Sequence, residues 1–262
     1  RLKSGSILMA DLKKGELLES DEIKTRFSSM HPYGEWMKGV VPLKDIAASV
    51  APAYPMMDAQ RMQLCKAFGY AHEDIYDMIL HMAANGVEPT VSMGADEPLA
   101  VLSKAHPSLF SYFKQRFAQV TNPPIDAIRE KIKTDQSIYI GDDGNLLKPC
   151  GENCKVIELP TPILTSEELE RIRSIQHPAF HVITLSILYP KAHSLQSALD
   201  QLFAGCDSAC RNGANIVILS DRGIDRDHLA IPSLLAVSAL EQHLVQRKKR
   251  TATKAASAIW SA

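Results

Sequence analysis

No stretch of about 18 apolar residues occurs in this 262-residue sequence, the length a helix needs to cross a bilayer. No Gly-x-Gly-x-x-Gly and no Walker-type loop occurs, so the usual glycine cradles for a dinucleotide or a triphosphate are missing. His-Glu-x-x-His is absent as well, and His31, His106 and His177 each precede a proline, where a turn is expected. Charge of one sign is scarce. Lys plus Arg number 29 and Asp plus Glu 30, and a net charge of −1 gives nucleic acid or anionic lipid no global attraction. The five cysteines are an odd number, which fits a reduced compartment better than a disulfide framework.

What is present is the material of a globular protein. Hydrophobic residues make 45% and charged residues 23%, which argues against extended disorder. A compact chain of 28.9 kDa exposes roughly 11,000 Å² of the about 42,000 Å² it shows unfolded, so a sizeable core is expected.

The reading along the chain is α/β, a helical N-terminal half followed by a β-α-β-α parallel-sheet segment. Residues 1–57 read as an irregular connector, with a short strand at 7–11, a short helix at 21–29 and breaks at Pro42, Pro52 and Pro55. Residues 58–133 read as helical. Asp58 can cap the first helix, and Ile75, Met78, Ile79 and Met82 recur at helical spacing before the stop at Asn85-Gly86. Leu109, Phe110, Phe113, Phe117 and Val120 mark a third helix, ended by Thr121-Asn122-Pro123-Pro124. Residues 134–164 read as a loop-rich link with a turn at 142–145 between apolar runs at 138–140 and 146–147.

Residues 165–250 carry the clearest pattern. Thr165-Ser166-Glu167-Glu168 is a capping box. A branched strand at 180–189 is followed by a helix at 194–212 with Leu195, Ala198, Leu199, Leu202, Cys206 and Ala209 on one stripe. Ile216-Val217-Ile218-Leu219 reads as a strand buried on both faces, and 231–246 as a second helix, with Ile231, Leu234, Leu235, Val237, Ser238 and Leu244 inward. That order predicts parallel strands and right-handed crossovers. Residues 251–262 form an atypical tail, a weak strand at best. The edge of the sheet is therefore expected either to drive self-association, directly or through the nearby apolar face, or to be protected by a rearranged tail.

Candidate chemistry is sparse. Cys150-x3-Cys154 and Cys206-x3-Cys210 lack zinc-ribbon spacing, and the second pair sits on an apolar stripe, where cysteine acts as a small hydrophobe. Asp221, Arg222 and Gly223 follow the buried strand, where α/β sheets collect ligands. The structural reading, an ion pair pinning the loop with Asp225, Arg226 and Asp227, is favoured over a ligand site. Arg247-Lys248-Lys249-Arg250 ends a helix, where positive charge suits the dipole. No catalytic, cofactor-binding or metal-ligating residue emerges from the residues alone.

Several segments then point further. His31-Pro32-Tyr33-Gly34-Glu35-Trp36, Gly86-Val87-Glu88-Pro89, Ser92-Met93-Gly94-Ala95-Asp96-Glu97-Pro98, Tyr112-Phe113-Lys114-Gln115-Arg116-Phe117, Thr121-Asn122-Pro123-Pro124-Ile125-Asp126, Ile218-Leu219-Ser220-Asp221-Arg222-Gly223 and Ile231-Pro232-Ser233-Leu234-Leu235-Ala236-Val237 occur in that order. The set resembles the central domain of the glutamate synthase large chain. The resemblance implies a non-catalytic segment that joins an amidotransferase domain to a barrel carrying FMN and an iron–sulfur cluster. It also implies that Thr121, Asn122, Pro123, Pro124 and Ile125 line part of an ammonia tunnel. Two prolines suit a rigid wall there, and a stiff helix stop explains them equally well.

Ala127 departs from the family, which has a second proline after Ile-Asp. Residues 131–158 also differ, and 251–262 do not resemble the buried strand that leads into the barrel. The expected partners are the amidotransferase and FMN domains, with neither nucleic acid nor membrane. No cofactor is expected in this chain, which reads as a piece of a longer one. The expected location is the cytoplasm, or a plastid in a photosynthetic eukaryote. The alternative is a free-standing α/β protein binding a small anionic metabolite near Asp221 and Arg222.

Overall fold

The computed structural model describes residues 2–46, 58–89, 101–102, 109–113, 125–142, 144–250 and 257–261. The chain opens on an antiparallel hairpin of β1 (Met9–Asp11) and β2 (Glu16–Leu18). Asp11 Oδ1 closes its turn by accepting from the amides of Lys13 and Lys14. Helix α1 (Ser20–Ser28) follows, its first turn held by Glu22 Oε2, which accepts from the Glu19 amide at 2.9 Å. Next come α2 (Tyr33–Trp36), a 3-10 turn at Met37–Gly39, β3 (Val40–Pro42) and α3 (Leu43–Ile46). Over residues 2–46 the expected irregular connector is thus largely regular, and Leu43 belongs to the core.

The helical part holds α4 (Asp58–Ala67), a π-helical stretch Asp74–Ile79 and α5 (Leu80–Asn85). Gly86 ends α5 at φ +64, as the Asn-Gly signal predicts. Leu109–Tyr112 is a 3-10 turn, and the rest of the expected third helix lies outside the described residues. Helix α6 (Ala127–Lys133) is capped by Asp126, whose Oδ1 accepts from the Ile128 and Arg129 amides.

The remaining elements are β4 (Ile138–Gly141), a 3-10 turn at Gly151–Cys154, β5 (Val156–Leu159), α7 (Ser166–Arg173), β6 (Val182–Ser186), β7 (Leu188–Pro190), α8 (Leu195–Arg211), β8 (Ile216–Ser220), β9 (His228–Ala230), α9 (Ser233–Gln246) and β10 (Ser257–Ser261). The link at 134–164 is therefore a correction. It contributes β4 and β5, and β5 is the middle strand of a sheet ordered β3-β5-β4. β4 pairs antiparallel with β5 and not with Leu146-Leu147, which stand 73% and 91% exposed. The turn residues at 142–145 mark the end of β4 correctly. They say nothing about which strand pairs with it.

β8 organises the molecule. Its apolar residues alternate between two cores. Val217 and Leu219 pack with Ala198, Leu202 and Cys206 of α8 and Ala236, Leu240 and Leu244 of α9. Ile216 and Ile218 pack with Ile157 and Leu159 of β5 and Leu169 and Ile172 of α7. Successive side chains of a strand point to opposite faces, so a strand covered on both sides must be apolar throughout. β6 pairs parallel with β8, Val182 against Ile216, as expected. The expected single strand at 180–189 splits after Ser186. β8 ends at Ser220, so Leu188–Pro190 turns to pair antiparallel with β9, a strand the pattern does not reveal.

Two further expectations are refined. Of the residues expected inward, Ile231 and Leu244 are buried and Leu235 and Val237 pack against the core, while Leu234 and Ser238 are exposed and Ala236 and Leu240 complete the inner face of α9. The sheet edge is also covered. Ser257–Ser261 pairs parallel with β8 in the order β10-β8-β6, so of the expected outcomes it is the tail that protects this edge.

Candidate functional site

Ligands of open parallel sheets gather beyond the carboxyl ends of the strands. Here that end carries Ser186 of β6 and the loop Ser220-Asp221-Arg222-Gly223 after β8. A shallow groove beside it is lined by Leu185, Ser186, Leu188, Gln201, Gly205 and Ile231, among others, with no charged side chain. Asp221 is buried, and Gly223 turns the chain at φ +95, a conformation that favours glycine.

Arg222 faces the protein. Its Nη1 donates to Glu170 Oε1 at 3.1 Å, and Arg173 Nη1 donates to the same oxygen. The side chains of Glu170 and Arg222 are 19% and 22% exposed, so water screens this cluster only in part. The contact ties the end of β8 to α7 across 52 positions of sequence. This is the structural reading of the loop, with a partner that the local pattern hides. Glu170 lies on a helix rich in i,i+3 and i,i+4 charge pairs and reads there as one more solvated residue. Asp225 does not join the cluster through any contact described here. Its Oδ1 accepts from the amides of Asp227 and His228 and meets the His228 ring at 2.9 Å, closing the turn into β9. Those bonds, the Asp227 amide first, hold its carboxyl below the ordinary range.

Of the tunnel candidates, Thr121, Asn122, Pro123 and Pro124 lie outside the described residues. Ile125 is 41% exposed, directly before the Asp126 cap of α6.

The cysteines occupy separate elements. Cys150 and Cys154 frame the 3-10 turn, and Cys206 and Cys210 lie on α8. Burial, with neighbouring Cys210 second, pushes the Cys206 thiol up to about 12, so it stays protonated and unreactive at neutral pH. Flavin and iron–sulfur cluster, the groups the resemblance implies for a neighbouring domain, do not fit this groove. It offers no basic side chain to a phosphate and no cysteine to a cluster. The spacing His177-x3-His181 also occurs, but across a turn bridged at His177 and Phe180, and His177 Nδ1 accepts from the Ala179 amide. Helical presentation of the two rings on one face is therefore absent.

Two features escaped the sequence pattern. Asn215 is buried and joins the starts of β6 and β8, donating to the Ala179 carbonyl at 2.7 Å and accepting from the His181 amide at 2.8 Å. Asp207 of α8 meets Lys249 Nζ at 2.6 Å and His243 Nε2 at 3.3 Å, with His243 stacked on Phe203. Burial alone would raise the Asp207 carboxyl, but these two partners outweigh it and lower it.

Comparison with known proteins supplies what the residues do not. Residues 63–258 match the family model of the glutamate synthase central domain, and residues 1–36 match that of class-II glutamine amidotransferases. The chain is 38% identical over 251 residues to the NADPH glutamate synthase large chain of Bacillus subtilis, covering 96% of this chain and 16% of that protein. It is 39% identical over 252 residues to ferredoxin-dependent glutamate synthase 2 of Synechocystis, covering 94% and 16%. It is 38% identical over 260 residues to the chloroplastic ferredoxin-dependent glutamate synthase of Spinacia oleracea, covering 97% and 16%. The chain therefore spans about a sixth of the length of these relatives.

Proposed function

The chain belongs to the glutamate synthase central-domain family, and from that premise we propose that it is the connecting segment of a glutamate synthase, standing between an amidotransferase domain and an FMN domain. The observation that carries this reading is order. An amidotransferase match at 1–36 precedes a central-domain match at 63–258 on one chain. β3, which lies between the two matches, already pairs with β5 of the central part.

In the whole enzyme, glutamine and water give glutamate and ammonia. The ammonia condenses with the keto carbon of 2-oxoglutarate, losing water, and two electrons with two protons complete a second glutamate. FMN and an iron–sulfur cluster in the FMN domain would deliver the electrons. This segment's own part is to hold the two sites in place and to wall part of the passage at Thr121, Asn122, Pro123, Pro124 and Ile125. An apolar Ile125 beside a proline pair suits that role, because it keeps water out of a wall that cannot collapse. The exposed side chains of Met62, Tyr76, Ile79, Leu80 and Val87 suit the scaffold role, as surface for neighbouring domains. In the isolated chain they are also the surface for self-association, which light scattering across a concentration series measures. The cytoplasm remains the proposed location, and a plastid where the source is photosynthetic.

The test is the full-length enzyme carrying this segment, assayed with Ile125→Trp. Glutamine hydrolysis should continue while glutamate formed from 2-oxoglutarate drops and free ammonia appears. Unchanged coupling would remove Ile125 from the tunnel. A full-length protein with neither glutaminase nor glutamate synthase activity would remove the whole reading.

The alternative, a small anion bound at Asp221 and Arg222, is disfavoured by one observation. Arg222 is committed to Glu170, and the adjoining groove carries no other cation.

A further inference from the structure

Trp36 stands where two parts of the chain meet. The amidotransferase match ends there, and the chain enters the central sheet at β3 within the next few residues. The turn Gly151–Cys154 packs against both α2 and Met37–Gly39. Two approaches are close. A Cβ at Gly39 would fall 2.8 Å from the Cys154 carbonyl oxygen, which leaves no room for a side chain, and one at Gly151 would fall 3.1 Å from Trp36 Cδ1, so the indole would have to give by a few tenths of an ångström. A backbone oxygen cannot swing aside, so Gly39 must stay bare for the contact to form. The indole is further fixed by His31, stacked with ring centres 5.0 Å apart, and by Tyr33, edge-on at 5.4 Å.

The turn itself is preset. Asn153 Oδ1 accepts from the Cys150 amide at 3.3 Å and from the Cys150 thiol at 2.9 Å. Gly144 leaves room for that amide, since a Cβ there would lie 2.9 Å from Asn153 Nδ2. Lys155 then leads directly into β5, whose Ile157 is fully buried.

We propose that Gly151–Cys154 is the seat on which the end of the amidotransferase domain is anchored, with Trp36 as the anchor. Through it the orientation of that domain is passed to β5 and the core. The partner surface is the aromatic segment His31, Tyr33 and Trp36 of the same chain. The proposal rests on reading residues 1–36 as amidotransferase sequence, but its test does not depend on activity.

Hydrogen exchange on the whole chain reads the seat directly. Gly151→Val and Trp36→Ala should each speed exchange at amides 33–39 by about tenfold or more while amides of β6 and β8 keep their protection. Trp36→Phe, which retains a ring for stacking, should restore part of the lost protection. Unchanged exchange at 33–39 in both variants would overturn the seat. Loss of protection in β6 and β8 as well would also overturn it, by making the turn part of one indivisible core. Because exchange reads the seat and glutamate formation reads the function, either can fail while the other stands.

Discussion

Both residues 166–250 and residues 58–89 are built on helices with apolar stripes, yet the two regions bury very different amounts. In the first, α8 and α9 close over β8, and Leu202, Cys206, Val217, Leu219, Leu240 and Leu244 are buried together. In the second no described residue is buried, and Met62, Tyr70, Tyr76, Ile79, Leu80 and Met82 are exposed. The periodicity is equally readable in both. What differs is whether the described residues supply the opposing surface. A stripe says that a helix has an inside, and only the fold says what that inside rests on. Residues 58–89 leave Met62, Ile79 and Met82 exposed and Cys65, Phe68, Ile75 and Met78 half-buried, a surface that suits the scaffold role proposed above.

The largest expected effect breaks the first region. Leu240→Ala removes a fully buried side chain between α9 and β8 and should cost about 2–5 kcal/mol in urea unfolding. Ile79→Ala in the second region should cost far less, within about 1 kcal/mol, because about half of the residue is in water already. Equal losses at the two positions would mean that residues 58–89 pack far more tightly than their exposure indicates.

Next comes the tie between the end of β8 and α7. Glu170→Ala leaves the guanidinium groups of Arg173 and Arg222 without this carboxylate in a half-buried place. A fully buried pair broken this way costs about 3–5 kcal/mol, so partial screening brings the expectation to about 1–3 kcal/mol. High salt should shrink the difference. Thermal unfolding at low and high salt checks both claims, and a variant as stable as the parent would reduce the cluster to a surface pairing.

Gly86→Ala tests the second region on its own terms. At φ +64, with nothing within 4 Å of the added Cβ, the substitution meets no neighbour and bears only the backbone penalty of a left-handed residue. That is about 1–2 kcal/mol, confined to α5. Exchange of the α5 amides should rise while the amides of α8 and α9 stay unchanged. A matching rise in α8 would show that the two regions unfold as one.

How much of this was legible in the sequence follows the same division. Ile216-Val217-Ile218-Leu219 is apolar at every position, and no pattern other than a strand covered on both faces accounts for it. The cap at Thr165 is likewise local chemistry written in a few residues, and it forms; Asp126 and Ser194 cap α6 and α8 in the same way without standing out beforehand. Pairings between distant segments were not legible. β4 with β5, β7 with β9, and Ser257–Ser261 with β8 depend on where the chain returns, and short strands carry too few residues to announce it. The same holds for the sites. Arg222 was visible as a charge after a strand, but Glu170 was invisible as its partner. The glycines at 39 and 151 were visible as glycines, and only the approach of Cys154 and Trp36 shows why they are needed. The tunnel residues came from resemblance alone, since Asn-Pro-Pro is also what a helix stop looks like.

The smallest effect concerns acid. Asp207 stands on α8 and reaches Lys249 and His243, which follow from α9, so its charge holds the far ends of the two helices together. Burial pushes its carboxyl up, and the bonds from Lys249 and His243 more than reverse that, leaving it below the ordinary carboxylate value. A group that is more acidic folded than unfolded favours the folded state once it is ionised in both. Its contribution is therefore complete above the unfolded value, near pH 4, and drains away as pH falls through the lower folded one. The pair is partly exposed, so the contribution should stay below about 1 kcal/mol and weaken with salt. Asp207→Asn should lower stability at pH 7 by that small amount and flatten the acid side of the profile below about pH 4. Leu240→Ala, by contrast, should shift the whole profile down without changing its slope. Stability measured by urea at a series of pH values separates the two shapes. If Asp207→Asn left the acid slope as steep as in the parent, the helix ends would be held by the packing of His243 on Phe203 and not by the charge.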